Sequence, residues 1–238
     1  MTLDPDLLLS AYAAGIFPMA DSRDADELYW VEPRQRAIIP LDRFHLSRSL
    51  SRTIRSERFD VTRDKAFAEV VEGCAARPET WINREIERAV NALHAAGHAH
   101  SIEVWSKGAL VGGLYGVKLG RAFFGESMFS LERDASKVAM AWLVARLRAG
   151  HFTLLDCQIM TPHLASLGAV DIPASAYAVL LSAAVGGAAG GSAGAIGVDG
   201  AALPPPEFGA LDEFLAASDP GAGSPAGKVI SQFLTQTS

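Results

Sequence analysis

The sequence predicts an α+β fold: a mixed sheet flanked by helices, preceded by a small N-terminal α/β domain and followed by a flexible C-terminal tail. Three observations carry this. Strand-type alternation is concentrated between residues 100 and 130, where the turns Ser106-Lys107-Gly108 and Leu119-Gly120-Arg121 cut one apolar stretch into three. Helix-type periodicity brackets that block on both sides. After Val185 the chain becomes almost all Gly, Ala and Ser, then Pro204-Pro205-Pro206, a composition that buries too little apolar surface to offset ordering. The expected boundaries are 1–42 for the N-terminal domain, 43–185 for the sheet domain and 186–238 for a disordered tail.

Asp4-Pro5 ahead of Leu7, Leu8 and Tyr12 reads as a capped helix start, and Gly15 ends it. Ile16-Phe17-Pro18 is an apolar non-helical plug. Residues 28–34 and 37–40 read as short extended pieces bounded by proline. A basic helix covers 47–57 and a short strand 59–61, and the next helix, 65–76, faces inward with Phe67, Val70, Val71 and Cys74. Asn83 caps a further helix carrying Ile86, Val90 and Leu93 at helical spacing, which Gly97 closes. Strands follow over 100–105, 110–117 and 122–130. Asp134 then caps a helix through Ala149, with Val138, Ala141, Trp142 and Ala145 inward. A buried strand at 152–157, a short helix near 163–167 and a helix over 173–185 complete the domain. In the tail, 207–217 reads as a weak helix and 229–234 as amphipathic, with no docking site identified.

At 238 residues the chain holds one large or two small domains. No run of about 18 apolar residues exists, so no membrane partner is expected. The start of the chain lacks a basic and then apolar leader pattern, and Cys74 and Cys157 make no disulfide framework or metal spacing; a reducing cytoplasm is expected. The net charge of −6 argues against nucleic acid unless basic residues cluster.

Such a cluster exists. Arg48, Arg52 and Arg55 recur at i, i+4 and i+7, with Arg43, His45 and Arg58 nearby, while Leu46, Leu50 and Ile54 form an opposite face. The stripe fits either a solvated amphipathic helix or contact with a phosphate backbone.

Glu126 sits in an apolar strand beside Phe123, Phe124, Met128 and Phe129. A buried carboxylate needs a partner or a task, so an ion pair with a residue such as Lys137 and a functional role both stay open. Gly125 before it permits a bulge. Asp156 and Gln158 lie two apart at a strand end, so their side chains share a face, where they fit either an amine site or plain helix capping. Met128, Phe123, Met140 and Leu155 suit an adaptable apolar pocket or ordinary core. His94, His98 and His100 lack the acid or thiol spacing of a zinc site. Cys157, with His151 or His163 as base, shows no feature that would depress a thiol pKa. No Walker-type loop and no G-x-G-x-x-G is present.

An antiparallel three-strand meander, a helix and a further strand, after two helices, resembles the Gcn5-related N-acyltransferase arrangement, which by itself implies no activity. The turn before the central helix, Glu132-Arg133-Asp134-Ala135-Ser136-Lys137, has no glycine and carries two acids, which disfavours coenzyme A.

These residues, taken in order, resemble the bacterial leucyl/phenylalanyl-tRNA–protein transferase family. The matching pieces include residues 11–18 (AYAAGIFP), 30–34 (WVEPR), 44–50 (FHLSRSL), 80–83 (TWIN), 97–105 (GHAHSIEVW) and 110–117 (LVGGLYGV). They continue through 124–130 (FGESMFS), 135–137 (ASK), 155–158 (LDCQ) and 166–169 (SLGA). The chain departs from the family at both ends: it begins close to its first helix, and the stretch after Val185 matches no family feature.

The resemblance implies transfer of Leu or Phe, and Met less well, from aminoacyl-tRNA to the α-amino group of proteins beginning with Lys or Arg, marking them for N-degron degradation. It implies an acyltransferase-like domain, no metal, no cofactor, no coenzyme A and a monomer. Phe123, Ser127, Met128, Met140 and Leu155 would line the aminoacyl pocket, with Leu114 and Leu143 at positions where relatives carry Met or Phe. Trp30 and Trp81 would flank the terminal adenosine or shape the entrance, and Arg48, Arg52 and Arg55 would contact tRNA. Glu126, Asp156 and Gln158 would bind the amines at the reaction centre, Asp156 holding the acceptor and Gln158 orienting the donor ester. The competing expectations are a coenzyme A-dependent N-acyltransferase and a non-catalytic adaptor for N-terminal Lys or Arg.

Overall fold

Local capping sets the first elements. The Asp4 carboxylate accepts the Asp6 N–H at 2.8 Å, starting α1 (Pro5–Ala13). A turn at Gly15 (φ 80°) leads into β1 (Phe17–Met19), which pairs with β2 (Tyr29–Val31) as an antiparallel ribbon. After β3 (Gln35–Ile38), the Ser47 hydroxyl accepts the Leu50 N–H to start α2 (Arg48–Arg55). Next come β4 (Asp60–Arg63), α3 (Phe67–Ala75) and α4 (Arg84–Ala95), the last capped by Asn83 on Glu85 and Ile86. The meander is β5 (Ala99–Ser106), β6 (Ala109–Leu119) and β7 (Ala122–Ser130). Then follow α5 (Ala135–Ala149), β8 (Leu154–Asp156), α6 (Pro162–Ala165), β9 (Val170–Pro173) and α7 (Ala174–Val185). The computed structural model describes residues 3–77, 79–186, 203–218 and 226–236, the last two stretches holding α8 (Ala210–Ser218) and α9 (Ala226–Thr235).

Seven strands form one sheet in the order β4-β5-β6-β7-β8-β3-β9, antiparallel except for the parallel pair β7–β8. It is the mixed α+β architecture expected. Residues 35–38, within the stretch expected as a separate N-terminal domain, form an interior strand between β8 and β9. On one face of the sheet Leu114, Phe123 and Leu155 pack with α2, the C-terminal helices and α5, which contributes Met140 and Leu143. On the other Tyr115 and Phe124 are buried with Tyr12 of α1, Val70 of α3 and Val90 of α4, beside α7.

A bulge in β7 governs the site. Tyr115 pairs with Ser127 and Gly116 with Gly125, so Glu126 is the extra residue. Gly116 is required there, since a Cβ would fall 2.3 Å from the Phe124 carbonyl oxygen.

Four expectations are corrected. Asp134 is left-handed (φ 71°) and does not cap α5 through its side chain; the Ser130 hydroxyl accepts the Ser136 N–H instead. Trp142 is only partly buried, because α5 is covered by the sheet on one side and by α8 and α9 on the other, which buries Leu143, Val144 and Leu147 more fully. Strand β9, short and exposed, had no apolar alternation to announce it. The tail is not wholly disordered: Phe208, Leu211, Ile230 and Leu234 are buried against the domain, and Arg146 bonds the Asp212 carboxylate at 2.7 Å. Two helical turns with apolar faces suffice where the partner surface already exists. The Gly/Ala-rich stretch 187–202 and residues 219–225 lie outside the described residues.

The Phe208 ring stacks on Phe123 at 5.5 Å and on His100 at 4.1 Å. Phe208→Ala is therefore expected to lower stability by about 3 kcal/mol, read as a shifted urea midpoint. A tail that merely dangles would leave the midpoint unchanged.

Candidate active site

Parallel β7 and β8 stay paired only from Ala122↔Leu154 to Phe124↔Asp156. Beyond that point β8 follows β3: the Cys157 N–H donates to Ala37 O at 2.8 Å and the Ala37 N–H to Gln158 O at 3.1 Å. β7 continues along β6. The divergence opens a cleft of about 750 Å³, whose walls include Phe17, Trp81, Met128, Leu131, Gln158 and Ile159.

Glu126 and Gln158 meet in this cleft, the Gln158 Nε2 donating to Glu126 Oε1 at 2.8 Å. Gln158 is left-handed (φ 63°), a conformation that a branched or bulky residue adopts only under constraint. β8 ends at Asp156, so the shared-face argument drawn from an unbroken strand does not hold for Asp156 and Gln158.

Asp156 does not line the cleft. It is 0% exposed, and Arg36, itself 1% exposed, grips it through Nε at 2.9 Å to Oδ1 and Nη2 at 2.6 Å to Oδ2. The Tyr177 hydroxyl donates to Oδ2 at 2.7 Å, and the Gln158 N–H donates to Oδ1 at 2.8 Å. Arg36 is in turn sandwiched between the Phe17 and Tyr177 rings, 4.8 and 4.6 Å from their centroids, and donates to Gly15 O. Every oxygen of Asp156 is engaged, so the expectation that it holds the acceptor amine directly is corrected: its partners come from β3, α7 and its own chain.

Burial pushes the Glu126 carboxyl up to about 8, and the charge of Asp156 adds to the shift, outweighing the pull of Tyr12, Arg36 and Gln158. Its Oε2 is buried and makes no hydrogen bond within normal distance to a described residue. Burial, then the nearby Glu126, raises the Tyr12 phenol well above its usual value. Burial opposes the Arg36 charge, but hydrogen bonding to Asp156 and its charge outweigh that and raise the guanidinium. Burial also pushes up the Cys157 thiol, and the Cys74 thiol to about 12, so neither is an activated nucleophile. His163 lines the cleft with its pKa lowered by burial and Lys137.

A second cavity of about 70 Å³ opens beside Glu126, walled by Leu114, Ser127, Met128, Met140, Leu143 and Leu164. Five of the seven residues expected in the aminoacyl pocket thus line one space. Phe123 and Leu155 are buried in the same core cluster behind it, not on its wall. Trp81 lines the cleft, whereas Trp30 is exposed on β2 opposite Pro18 and does not. Arg48, Arg52 and Arg55 are exposed and form no ion pair with a described residue. The start of their helix adjoins the cleft wall, since the His45 N–H donates to Leu167 O at the end of α6. His94 and His100 are separately engaged, with Ala99 O and Asp64.

Sequence reasoning missed Arg36, Tyr12, Tyr177 and Arg77, whose guanidinium donates to the Ser127 hydroxyl at 2.7 Å. Only Arg36 left a signal, as an arginine inside a short apolar strand.

Diverging parallel strands, with an acid and an amide at the fork and an apolar cavity beside them, give the chain the acyltransferase-like class of fold expected of it, which is not yet an activity. The particular family follows from the sequence. The chain belongs to the leucyl/phenylalanyl-tRNA protein transferase family, whose model matches residues 38–182 and whose N-terminal domain model matches residues 1–34. The leucyl/phenylalanyl-tRNA–protein transferase of Rhizorhabdus wittichii is 60% identical over 249 residues, spanning 99% of both chains. That of Novosphingobium aromaticivorans is 55% identical over 260 residues, spanning 99% of this chain and 97% of the other. The crystal structure of FemX is similar at a TM-score of 0.48 and 15% identity, over 71% of this chain and 66% of that one, a likeness too distant to carry weight.

Two outcomes follow from this geometry. Arg36→Met leaves a buried carboxylate unpaired and is expected to cost roughly 3–5 kcal/mol, with part of the loss recovered in Arg36→Met/Asp156→Asn; equal midpoints in urea for both variants would contradict the pairing. Folded Glu126 keeps its proton to about pH 8, while unfolded it loses it near 4.5. Folding takes up a proton in that window, so stability falls as pH rises through it. Glu126→Gln should remove this slope, gaining on the parent by roughly 2–4 kcal/mol between pH 5 and 8; parallel pH curves would mean that Glu126 is ionised in the fold.

Proposed function

We propose a division of labour among these residues for the reaction of the family: transfer of Leu or Phe, and Met less well, from aminoacyl-tRNA to the α-amino group of proteins beginning with Lys or Arg. The product carries a destabilising N-terminal residue and enters the N-degron route. The observation that carries the reading is the Glu126–Gln158 pair beside a small Met- and Leu-walled cavity.

The aminoacyl side chain occupies the cavity, whose unbranched Met128 and Met140 adapt to Leu or Phe. Its ester carbonyl then lies in the cleft near Gln158. The acceptor amine must lose a proton before it attacks, and the ribose oxygen must gain one as it leaves. Because Nε2 of Gln158 is committed to Glu126, its Oε1 is the atom available to accept an amine N–H. Glu126, with a pKa of about 8, matches an α-amino group of about 7.7–8, so a proton passes between them at little cost. Asp156 is a positioning residue, acting through Gln158. The ester is already activated, so holding amine and carbonyl together supplies much of the acceleration.

Trp81 offers a face for the terminal adenine, and the exposed arginines of α2 suit the phosphates behind it. One copy suffices, since Glu126, Gln158 and the cavity all come from one chain; this supports action as a monomer. Without glycine the start of α5 suits coenzyme A poorly.

Labelled Phe-tRNA with a Lys-starting peptide tests the reading, with acetyl-CoA as the rival donor and peptide binding alone as the third arm. Gln158→Ala is expected to cut single-turnover transfer by about 100-fold or more while Phe-tRNA binding persists. Near-normal turnover in that variant would remove Gln158 from the reaction.

A further inference from the structure

We propose that the acceptor protein binds by adding its first residues as a parallel strand to the open edge of β7. This rests on the transferase reading above and specifies how the acceptor is held. The Leu131 N–H donates to Val111 O at 2.7 Å, just beyond the pair Gly112↔Ser130. In an antiparallel ladder hydrogen-bonded pairs alternate, so Phe129 and Ser127 also turn their amide and carbonyl toward β6. Met128 and Ser130 therefore turn theirs the other way, toward the cleft. There β8 has already left, its last pair with β7 being Phe124↔Asp156. The result is a strand edge without a neighbouring strand among the described residues, inside the cleft that holds Glu126 and Gln158. Two apolar side chains flank its mouth, Leu131 at 76% exposure and Ile159 at 50%, both on cleft walls.

Such an edge accepts an extended peptide through main-chain hydrogen bonds. Direction is set by the amine. A strand taking the place β8 vacates, and running the same way, begins at Glu126 and Gln158 and leads outward past Met128 and Ser130. The opposite direction would carry the α-amino group away from Gln158. With a rise of about 3.3 Å per residue, placing the acceptor's second residue opposite Met128 puts its first beside Ser127 and its amine at Glu126. The Met128 N–H then donates to the carbonyl of acceptor residue 1, and the N–H of acceptor residue 3 donates to the Met128 carbonyl. Main-chain pairing reads no side chains beyond the first, which suits an enzyme whose acceptors share only their N-terminal residue.

The test uses the full chain, Phe-tRNA and a Lys-starting hexapeptide carrying one backbone N-methyl group at residue 2, 3 or 4. The N–H of residue 3 is paired and those of residues 2 and 4 are not, so kcat/KM is expected to fall roughly tenfold at residue 3 and to change little at the other two. An ester in place of the residue 3 amide, which removes the donor without adding bulk, is expected to lower it in the same sense. A flat profile, or a loss confined to residues 2 and 4, overturns the proposal. Transfer to the unmethylated parent reports separately on the transferase reading and stands whichever profile the modified peptides give.

Discussion

The buried pair of Arg36 and Asp156 is the constraint on which the site depends. It joins four pieces of chain: the turn after α1 with the start of β1, through Gly15 O and the Phe17 ring; β3 and β8, through the pair itself; and α7, through Tyr177. A buried ion pair brings little net stability, because desolvation offsets most of the attraction. What it does bring here is geometry. One carboxylate oxygen accepts the Gln158 N–H, which holds a left-handed residue at the fork of the sheet. That anchor, together with the Ala37 N–H on Gln158 O, keeps Gln158 turned back toward Glu126.

The fork and the bulge are two halves of one device. The Glu126 bulge in β7 takes Glu126 out of the ordinary alternation, so Phe123 and Met128, five apart, both join the α5 face while Phe124 and Phe129 join the other. Had the strand been regular, residues five apart would point to opposite faces. The acid thereby reaches the cleft, while Met128 beside it lines the cavity. Gly116 opposite has to lack a side chain for the strands to pass. On the proposed reading, selectivity for an apolar aminoacyl group and a polar centre for its ester thus arise from a single irregularity in one strand.

Much of this was legible in the sequence, and the rest was hidden for physical reasons. Helix starts at Asp4 and Asn83 and the meander turns at Gly108 and Gly120 depend on neighbours a few residues away, so local chemistry identifies them. Gly125 before Glu126 signalled a bulge or the close approach of another backbone, and the structure has the bulge at Glu126 and the Asp156 carbonyl beside Gly125. The partner of Asp156 was not legible, because Arg36 lies 120 positions away and carries no local periodicity. The helical pieces at 207–217 and 229–234 were legible as α8 and α9, but their docking was not: their few apolar residues are too sparse to form a core, and they fold by covering α2 and α5, a surface that sequence composition does not display. The same-face argument for Asp156 and Gln158 failed because one left-handed residue ended the strand early.

The two carboxyl groups at the fork are held differently, and that difference has a consequence for the reaction. Asp156 is paired with Arg36, while Glu126, buried with Asp156 nearby, keeps its proton to about pH 8. The resting site is then close to neutral overall. On the proposed reading, an α-ammonium entering it brings a second proton to a centre that needs only one, because attack requires a neutral amine. The arriving cation lowers the Glu126 pKa, and one proton leaves to solvent as the pair forms. What stays is a single proton shared between carboxylate and amine, two bases of nearly equal strength. Shifting it to Glu126 frees the lone pair for the ester carbonyl; that proton then passes to the departing ribose oxygen, and the Glu126 carboxylate takes up the proton that the nitrogen sheds on becoming an amide, which restores the resting form. A permanently ionised acid at this position would hold the amine more tightly as ammonium and so make it a poorer nucleophile. Burial of Glu126 in an apolar strand, the feature that is costly for the fold, is what adjusts it to the amine.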